Sequence, residues 1–258
     1  MEHVLVSRTG AVTEITLNRP EVMNALTVPV LEAVAAAFEA ATADGTRVVV
    51  LRATGAAFCS GADLADDELG KPEVQARVID VANGFVKAVA SAAIPVVSVI
   101  HGPAVGMGLS LALAADLPIM STSAYLLLGF TKIGLMPDGG ASALAAAGIG
   151  RAAAMRMALL AERVPADRAL ELGLVAAAVA PEQLEDEVQR IVGILAGGAP
   201  QALAHTKQAI NALSLGDLDG ALAAERTGQL HLLGSSDFAE GVAAFRERRA
   251  PRFGTAQR

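Results

Sequence analysis

A chain of 258 residues can form one large domain or two small ones and can bury a substantial core. The net charge of −7 and the aromatic content of 3% argue against a broad nucleic-acid surface, which needs cations for phosphates and rings for bases. Gly, Pro and charged residues interrupt the apolar runs well before the roughly 18 residues that a membrane span requires. We therefore expect a soluble protein that binds neither nucleic acid nor membranes.

The N-terminal residues and the cysteine count predict the compartment. Charged residues interrupt the apolar positions of residues 1–20, unlike the continuous apolar stretch of a signal peptide. The one cysteine, Cys59, cannot form an internal disulfide or a cysteine metal cluster, which favours a reducing compartment. We expect a cytoplasmic protein. Because 53% of the residues are hydrophobic, we also expect apolar faces buried between subunits, and hence an oligomer.

The N-terminal segment predicts two strands followed by a helix. Residues 3–8 and 11–17 are short and rich in β-branched residues, and Thr9-Gly10 joins them as a hairpin turn. Apolar residues then recur at helical spacing over residues 27–42, with Thr27 as the N-cap.

The next segment alternates strands with helices. Residues 48–51 predict a buried strand, residues 54–72 a long loop without periodicity, and residues 72–92 a helix. A second buried strand at residues 95–100 precedes a glycine-bearing turn and a helix at residues 106–115. These units predict a sheet whose strands are connected by crossover helices.

Two further strands, at residues 117–120 and 125–128, precede a turn-rich stretch at residues 129–140. The remaining chain is mostly helical. We expect an α/β core over residues 1–195 and a helical region over residues 196–258.

Two glycine-bearing turns, residues 58–64 and 102–108, follow the predicted buried strands. Each can expose backbone N–H groups, and a helix N-terminus adds a partial positive charge. Two such donors that converge on one oxygen form an oxyanion hole. Equally, the glycines can serve only to allow tight turns against a sheet, and spacing alone leaves both interpretations open.

Several motifs carry a resemblance to a known family. They are residues 17–20 (Leu-Asn-Arg-Pro), 23–26 (Met-Asn-Ala-Leu), 58–64 (Phe-Cys-Ser-Gly-Ala-Asp-Leu), 94–97 (Ile-Pro-Val-Val), 101–104 (His-Gly-Pro-Ala), Asp116, 133–140 (Ile-Gly-Leu-Met-Pro-Asp-Gly-Gly) and 169–175 (Ala-Leu-Glu-Leu-Gly-Leu-Val). In these motifs the sequence resembles the crotonase, or enoyl-coenzyme A hydratase/isomerase, family. The resemblance implies a crotonase-like spiral of ββα units with a C-terminal helical trimerisation region. It also implies a homotrimer or a dimer of trimers.

The resemblance also implies a ligand and a set of site residues. The ligand is an acyl-CoA thioester, so that coenzyme A is part of the substrate and no separate cofactor or metal is expected. The amides of Ala62 and Met107 would form the oxyanion hole. Residues expected to contact the substrate are Met23, Asn24, Ala25, Ser60, Gly61, Asp63, Leu64, Gly106, Ser110 and Phe130. Arg19, Arg248, Arg249 and Arg252 are candidates for the phosphates, although a solvated surface charge is the more common role for any one such cation.

The sequence departs from a typical hydratase of this family at two positions. Such a hydratase uses two glutamates to activate water, and the matching positions here are Ser110 and Phe130. Neither side chain can act as a carboxylate base near neutral pH. Ordinary water addition to a 2-enoyl thioester is therefore not expected.

Asp138 is the acidic residue left near the expected site. It resembles the aspartate of the family's isomerases of the ring-opening phenylacetate type and of its dehalogenase. One carboxylate can remove a proton from one carbon and return it to another, and burial beside Phe130 and Leu135 would raise its pKa towards that task. The alternative is that Asp138 caps the following helix.

Other polar residues carry weaker predictions. Asp66, Asp67 and Glu68 can swing over the substrate or, more commonly for loop acids, remain solvated. We expect Asp63 and Asp116 to have structural roles, and Ser110 to be a helix-surface serine rather than a nucleophile, since no Gly-x-Ser-x-Gly motif surrounds it. Cys59 is expected to pack beside its turn. The histidines are scattered and lack metal-ligand spacing.

Three functional hypotheses follow. The first is a double-bond isomerase that uses Asp138. The second is a hydratase that recruits a non-standard acid, such as one from the loop at 66–68. The third is a non-catalytic acyl-CoA-binding protein.

Overall fold

The computed structural model of the chain describes residues 2–254, except for the side chain of Asp67. The strands are β1 Val4–Thr9, β2 Val12–Leu17, β3 Val48–Ala53, β4 Val96–Ile100, β5 Ala104–Val105, β6 Leu117–Ser121, β7 Tyr125–Leu127, β8 Val164–Pro165 and β9 Ala177–Val179. The helices are α1 Val28–Ala43, α2 Pro72–Ser91, α3 Met107–Ala114, α4 Ala141–Leu160, α5 Ala166–Leu172, α6 Leu184–Gly197, α7 Pro200–Ser214, α8 Leu218–Leu233 and α9 Ser236–Arg246.

The main sheet has six strands in the order β1-β2-β3-β4-β6-β9. β1 and β2 form the predicted antiparallel hairpin, and the other neighbouring strands run parallel. Every residue of β4 and the first four residues of β3 are buried, as expected for central strands covered on both faces. The predicted strands and helices of residues 3–128 are all present, and the fold class is confirmed.

A smaller sheet in the order β5-β7-β8 was not fully predicted. β5 and β8 have two residues each, which is too short for a periodic pattern in the sequence. β5 nevertheless pairs with β7 in register, Ala104 opposite Leu126. This pairing fixes the backbone directly before α3, where the second glycine-bearing turn lies.

The proposed boundary at residue 195 stays a prediction. The structure adds that side chains of α8, including Leu232 and Leu233, pack against the main hydrophobic core. An ion pair between Asp80 of α2 and Arg226 of α8, with 2.6 Å between Oδ1 and Nε, joins the same two helices. The C-terminal helical region therefore packs against the core through α8.

Among the described helices, α4 has the length and the apolar composition of a membrane span. Gly150, with φ 73° and ψ 164°, interrupts its helical backbone near the middle. Neither half alone reaches the roughly 20 residues that cross a bilayer. The absence of a membrane partner remains a prediction.

Lys207 of α7 anchors the C-terminal helices to the start of β4. Its Nζ donates to Asp116 Oδ2 at 2.8 Å and to the Ile94 carbonyl at 3.1 Å. The same carboxylate accepts from the Val96 N–H at 2.8 Å, which confirms the structural role expected for Asp116. The Lys207 side chain is only 7% exposed, so its charge depends on this partner.

We predict that Lys207→Met lowers the free energy of unfolding by about 3–5 kcal/mol, because it leaves the Asp116 carboxylate largely buried without its cation. Denaturant unfolding measures this change. Arg77→Met, which removes an ion pair between exposed Arg77 and Glu32, is the matched control and should cost less than about 1 kcal/mol. Equal losses in the two variants would contradict the anchoring role.

Candidate active site

The two glycine-bearing turns are joined by a short parallel β-bridge between Cys59 and Ala104. The Cys59 N–H donates to the Pro103 carbonyl at 3.1 Å, and the Val105 N–H donates to the Cys59 carbonyl at 2.9 Å. The Cys59 thiol donates to the Asn24 carbonyl, and burial raises its pKa to about 12. This cysteine is therefore part of the packing between the turns, as predicted.

The approach of the turns requires glycine at two positions. A Cβ on Gly108 would lie 2.6 Å from Cys59 Cβ and from the Cys59 carbonyl oxygen. Gly61 has φ 92°, and a Cβ there would lie 3.0 Å from the Val105 carbonyl oxygen and 3.6 Å from Met107 N. The glycines thus bring the first turn against the start of α3, beyond what a tight turn alone would need.

Two backbone N–H groups at this junction have no acceptor among the described residues. Leu26 pairs with both neighbours of Ala62, through Leu26 N to the Gly61 carbonyl and Asp63 N to the Leu26 carbonyl. In a parallel bridge of this kind, the N–H of the central residue, Ala62, points to the other side. Met107 is the first residue of α3, where N–H groups lack helical partners. The two free donors belong to adjacent segments of the junction.

A cavity of about 440 Å³ lies at this junction. Most of its lining is apolar and comes from the two turns, α2, residues 127–138, α8 and α9. The predicted residues that line it are Met23, Ala25, Ser60, Gly61, Ala62, Asp63, Leu64, Gly106, Met107, Phe130 and Asp138. Residues from motifs that are far apart in the sequence therefore line the same cavity.

Two predicted substrate contacts, Asn24 and Ser110, do not line the cavity. The Asn24 side chain is buried and accepts from Arg19 N–H while it donates to the carbonyls of Thr54 and Ala57. Its polar groups are thus used to hold the loop, which also explains how its backbone keeps a φ of 54°.

Ser110 is fully buried, so its interpretation as a helix-surface serine is wrong. Its Oγ donates to the Asp138 carbonyl at 2.7 Å, and its Cβ lies 3.0 Å from the position that a Cβ on Gly139 would take. The short serine side chain therefore leaves room for the turn at 137–140 and fixes the backbone of Asp138.

The Asp138 side chain is buried at the cavity wall, with 4% of the residue exposed. Gln229 Nε2 donates to its Oδ2 at 2.8 Å, whereas Oδ1 has no hydrogen-bond partner in the described part of the chain. Burial raises the pKa of Asp138 to about 7, the charge of Glu225 adds to the increase, and the Gln229 hydrogen bond opposes it. The group can therefore exchange a proton near neutral pH.

Gln229 and Glu225, both on α8, were missed in the sequence. The Met136 N–H donates to Gln229 Oε1 at 3.1 Å, which orients the amide so that its N–H group faces Asp138. Glu225 accepts from the Gly140 and Ser142 N–H groups at 2.7 and 2.8 Å and so caps α4. Asp138 makes no side-chain cap, and the capping alternative is therefore wrong.

The two loop acids whose side chains the structure describes, Asp66 and Glu68, are engaged away from the cavity. Asp66 accepts from the Glu68 N–H, and Glu68 pairs with Lys71. Neither Asp66 nor Glu68 lines the cavity. The side chain of Asp67 lies outside the described residues. The described loop acids thus have local partners.

The predicted cations differ in their surroundings. Arg19 pairs with Asp63 at 3.1 Å between Nη1 and Oδ2, and Arg249 pairs with Glu240 and Glu247. Arg248 is exposed. Arg252 donates its backbone N–H to Glu240 Oε1.

Lys132 was not singled out in the sequence. It lies at the cavity with an exposed side chain that makes no hydrogen bond or ion pair to other described residues. Its short sequence context, Thr-Lys-Ile, offered no signal of this position.

Comparisons with known proteins identify the family of the chain. A profile of the family described as Enoyl-CoA hydratase/isomerase matches residues 7–256. A protein of Rhodobacter capsulatus named "Probable enoyl-CoA hydratase" is 39% identical over 239 residues and 93% of each chain. The 1,2-epoxyphenylacetyl-CoA isomerase of Escherichia coli is 36% identical over 258 residues and 98% of each chain. A crystal structure of an enoyl-CoA hydratase from Mycobacterium avium subsp. paratuberculosis has a TM-score of 0.91, 45% identity and 98% coverage of each chain.

The profile match spans nearly the whole chain, and the fold agrees with solved members over nearly its full length. The resemblance read from the motifs is thus confirmed, and the chain belongs to the enoyl-CoA hydratase/isomerase, or crotonase, family of enzymes.

Proposed function

We propose that the protein isomerises the double bond of an enoyl-CoA thioester, with Asp138 as the base that moves the proton. The observation that carries this proposal is the buried Asp138 carboxyl group, whose Oδ1 is unpartnered among the described residues and which lines the same cavity as Ala62 and Met107. A single group that titrates near neutral pH suffices for such a proton shift.

The two free amides have the role of stabilising the enolate. The thioester oxygen accepts hydrogen bonds from the N–H groups of Ala62 and Met107, which makes the neighbouring C2–H bond more acidic. Each such donor is typically worth about 10²–10³ in rate. Because the donors belong to the backbone, the identity of these two side chains matters little to this step.

Asp138 then takes a proton from C2 of a 3-enoyl thioester. The electron pair of the broken C–H bond becomes part of a conjugated dienolate, whose oxygen is held by the two amides. The protonated Asp138 returns the proton to C4, so that the double bond moves from C3–C4 to C2–C3. Substrate and product have the same atoms, and Asp138 regains its charge.

Hydration is the second candidate, because relatives include proteins named hydratase. Water activation in the usual manner needs two carboxylates, whereas the acidic side chains described at the cavity are Asp63 and Asp138. Asp63 is paired with Arg19, which leaves Asp138 for chemistry. The name of the E. coli relative, an isomerase of a CoA thioester, also supports isomerisation.

The third hypothesis, a non-catalytic acyl-CoA-binding protein, has less support. A role of Asp138 as a helix cap alone would have favoured this hypothesis. Glu225 caps α4 instead. Family membership also supports an enzyme.

The remaining parts of the proposal concern coenzyme A and assembly. Met23, Ala25 and residues 60–64 would bind the pantetheine and adenine, and Lys132 at the cavity would attract a phosphate. No separate cofactor is required by the proton shift. A homotrimer or a dimer of trimers in the cytoplasm would cover exposed apolar side chains such as Leu159 and Leu213.

We predict that Asp138→Asn lowers kcat for 3-hexenoyl-CoA by a factor of about 10² or more, because an amide cannot accept the proton. Affinity for the thioester, measured by calorimetry, should change little. Asp186→Asn, on an exposed position of α6, is the matched control and should keep full turnover. Unchanged turnover in Asp138→Asn would remove Asp138 from the mechanism.

We also predict that kcat/KM rises with pH through a midpoint set by Asp138, whose pKa burial raises to about 7. The rate falls below this midpoint because the base must be ionised. Gln229→Met removes the hydrogen bond that favours the carboxylate, so the pKa and the midpoint should move to higher pH. The control Gln189→Met, an exposed change on α6, should leave the pH profile unchanged. A midpoint unaffected by Gln229→Met would contradict the positioning role of Gln229.

A further inference from the structure

The cavity contains a polar side chain that the proposed proton shift does not use. Gln75 of α2 is 9% exposed and lines the cavity. Its side-chain amide makes no hydrogen bond to any described residue, although its backbone N–H bonds to the Lys71 carbonyl as part of the helix start. The amide can therefore both donate and accept at the cavity wall.

The neighbours of Gln75 in the wall are apolar. Val78 and Ile79, three and four residues further along α2, also line the cavity, as does Leu69, and none of them offers a polar side chain. The amide of Gln75 can hydrogen-bond to a ligand in the cavity, whereas Leu or Met at this position would offer no such group. The amide is thus the hydrogen-bonding group that this part of the wall presents to a ligand.

α2, which carries Gln75, lies beside α8, which carries Gln229. α2 is joined to α8 by the ion pair between Asp80 and Arg226, and Gln229 lies three residues after Arg226 on α8. Gln229 in turn holds Asp138. Gln75 and the Gln229 that holds Asp138 therefore line the cavity from adjoining helices.

We propose that Gln75 is a specificity-determining residue that selects acyl groups carrying an oxygen atom beyond the reacting carbons. The inference rests on the proposed binding of an acyl-CoA thioester in this cavity. A carbonyl or hydroxyl oxygen accepts from the amide Nε2, and a hydroxyl also donates to Oε1. A plain hydrocarbon chain leaves both groups unpaired, and sites built to form a hydrogen bond discriminate against analogues that lack the partner.

Binding of four saturated thioesters tests this inference. Hexanoyl-CoA, 5-oxohexanoyl-CoA, 5-hydroxyhexanoyl-CoA and 6-hydroxyhexanoyl-CoA differ in the presence, kind and position of one oxygen, which lies beyond C4 in each oxygenated thioester. None carries the double bond on which the isomerase would act, so calorimetric Kd values do not depend on the role of Asp138. Failure of the proposed isomerase reaction, measured with Asp138→Asn, is thereby separate from failure of this inference.

We expect at least one oxygenated thioester to bind about fivefold or more tightly than hexanoyl-CoA. In Gln75→Met, which keeps side-chain length and helix propensity, this preference should disappear, while the Kd of hexanoyl-CoA stays the same or improves. The control Gln201→Met, at an exposed position of α7, should keep the preference.

Two results would overturn the inference. One is a wild-type protein that binds all four thioesters equally. The other is a Gln75→Met protein that loses affinity for all four by the same factor, because Gln75 would then bind the common pantetheine arm rather than the acyl group.

Discussion

The pairing of two backbone segments, residues 58–63 and residues 103–107, is the constraint on which the rest of the site depends. The bridge through Cys59 sets the first turn beside the start of α3; a Cβ on Gly108 would clash with Cys59, and Gly61 adopts a positive φ that favours glycine. Leu26 occupies the other hydrogen-bonding side of the first turn, which leaves the Ala62 N–H to face away from it. Ladder and helix geometry thereby produce two free donors without any catalytic side chain.

The second determinant is the environment of Asp138. Burial favours its neutral form, and the Gln229 hydrogen bond stabilises its charged form, so that the balance gives a pKa of about 7. Glu225 supports this arrangement indirectly, because it caps α4 and leaves the Asp138 carboxylate free of that task. α8 thus contributes both the group that orients the acid and the group that holds the adjoining helix.

Local patterns in the sequence predicted much of the fold. The hairpin at Thr9-Gly10, the buried strands β3 and β4 and the helices α1 to α3 follow from short-range signals of turn residues and periodicity. β5 and β8 could not be predicted, because two-residue strands exist only through their pairing with β7. The glycine turns were identified, but their contact through Cys59 is a tertiary feature.

The parts of the site that backbone geometry or a sequence motif defines could be predicted from the sequence. The parts that depend on the hydrogen-bond partners of side chains were harder to predict. Asn24 and Ser110 are polar residues in or near family motifs, yet they satisfy backbone carbonyls and do not line the cavity. Gln229 lies 91 residues from Asp138, and nothing in the composition of α8 distinguishes it from a surface glutamine. Gln75 likewise could not be singled out from the sequence, because what distinguishes it is that its side chain lacks a hydrogen-bond partner among the described residues.

The measurement that tests the central claim most directly is an NMR assay of the purified protein with 3-hexenoyl-CoA and 2-hexenoyl-CoA in parallel. The proposed enzyme converts the 3-enoyl thioester to the 2-enoyl thioester and forms no 3-hydroxyacyl product from either. Rapid formation of 3-hydroxyhexanoyl-CoA from the 2-enoyl thioester, without interconversion of the two alkenes, would contradict the account, because the site would then activate water instead of moving a proton between C2 and C4.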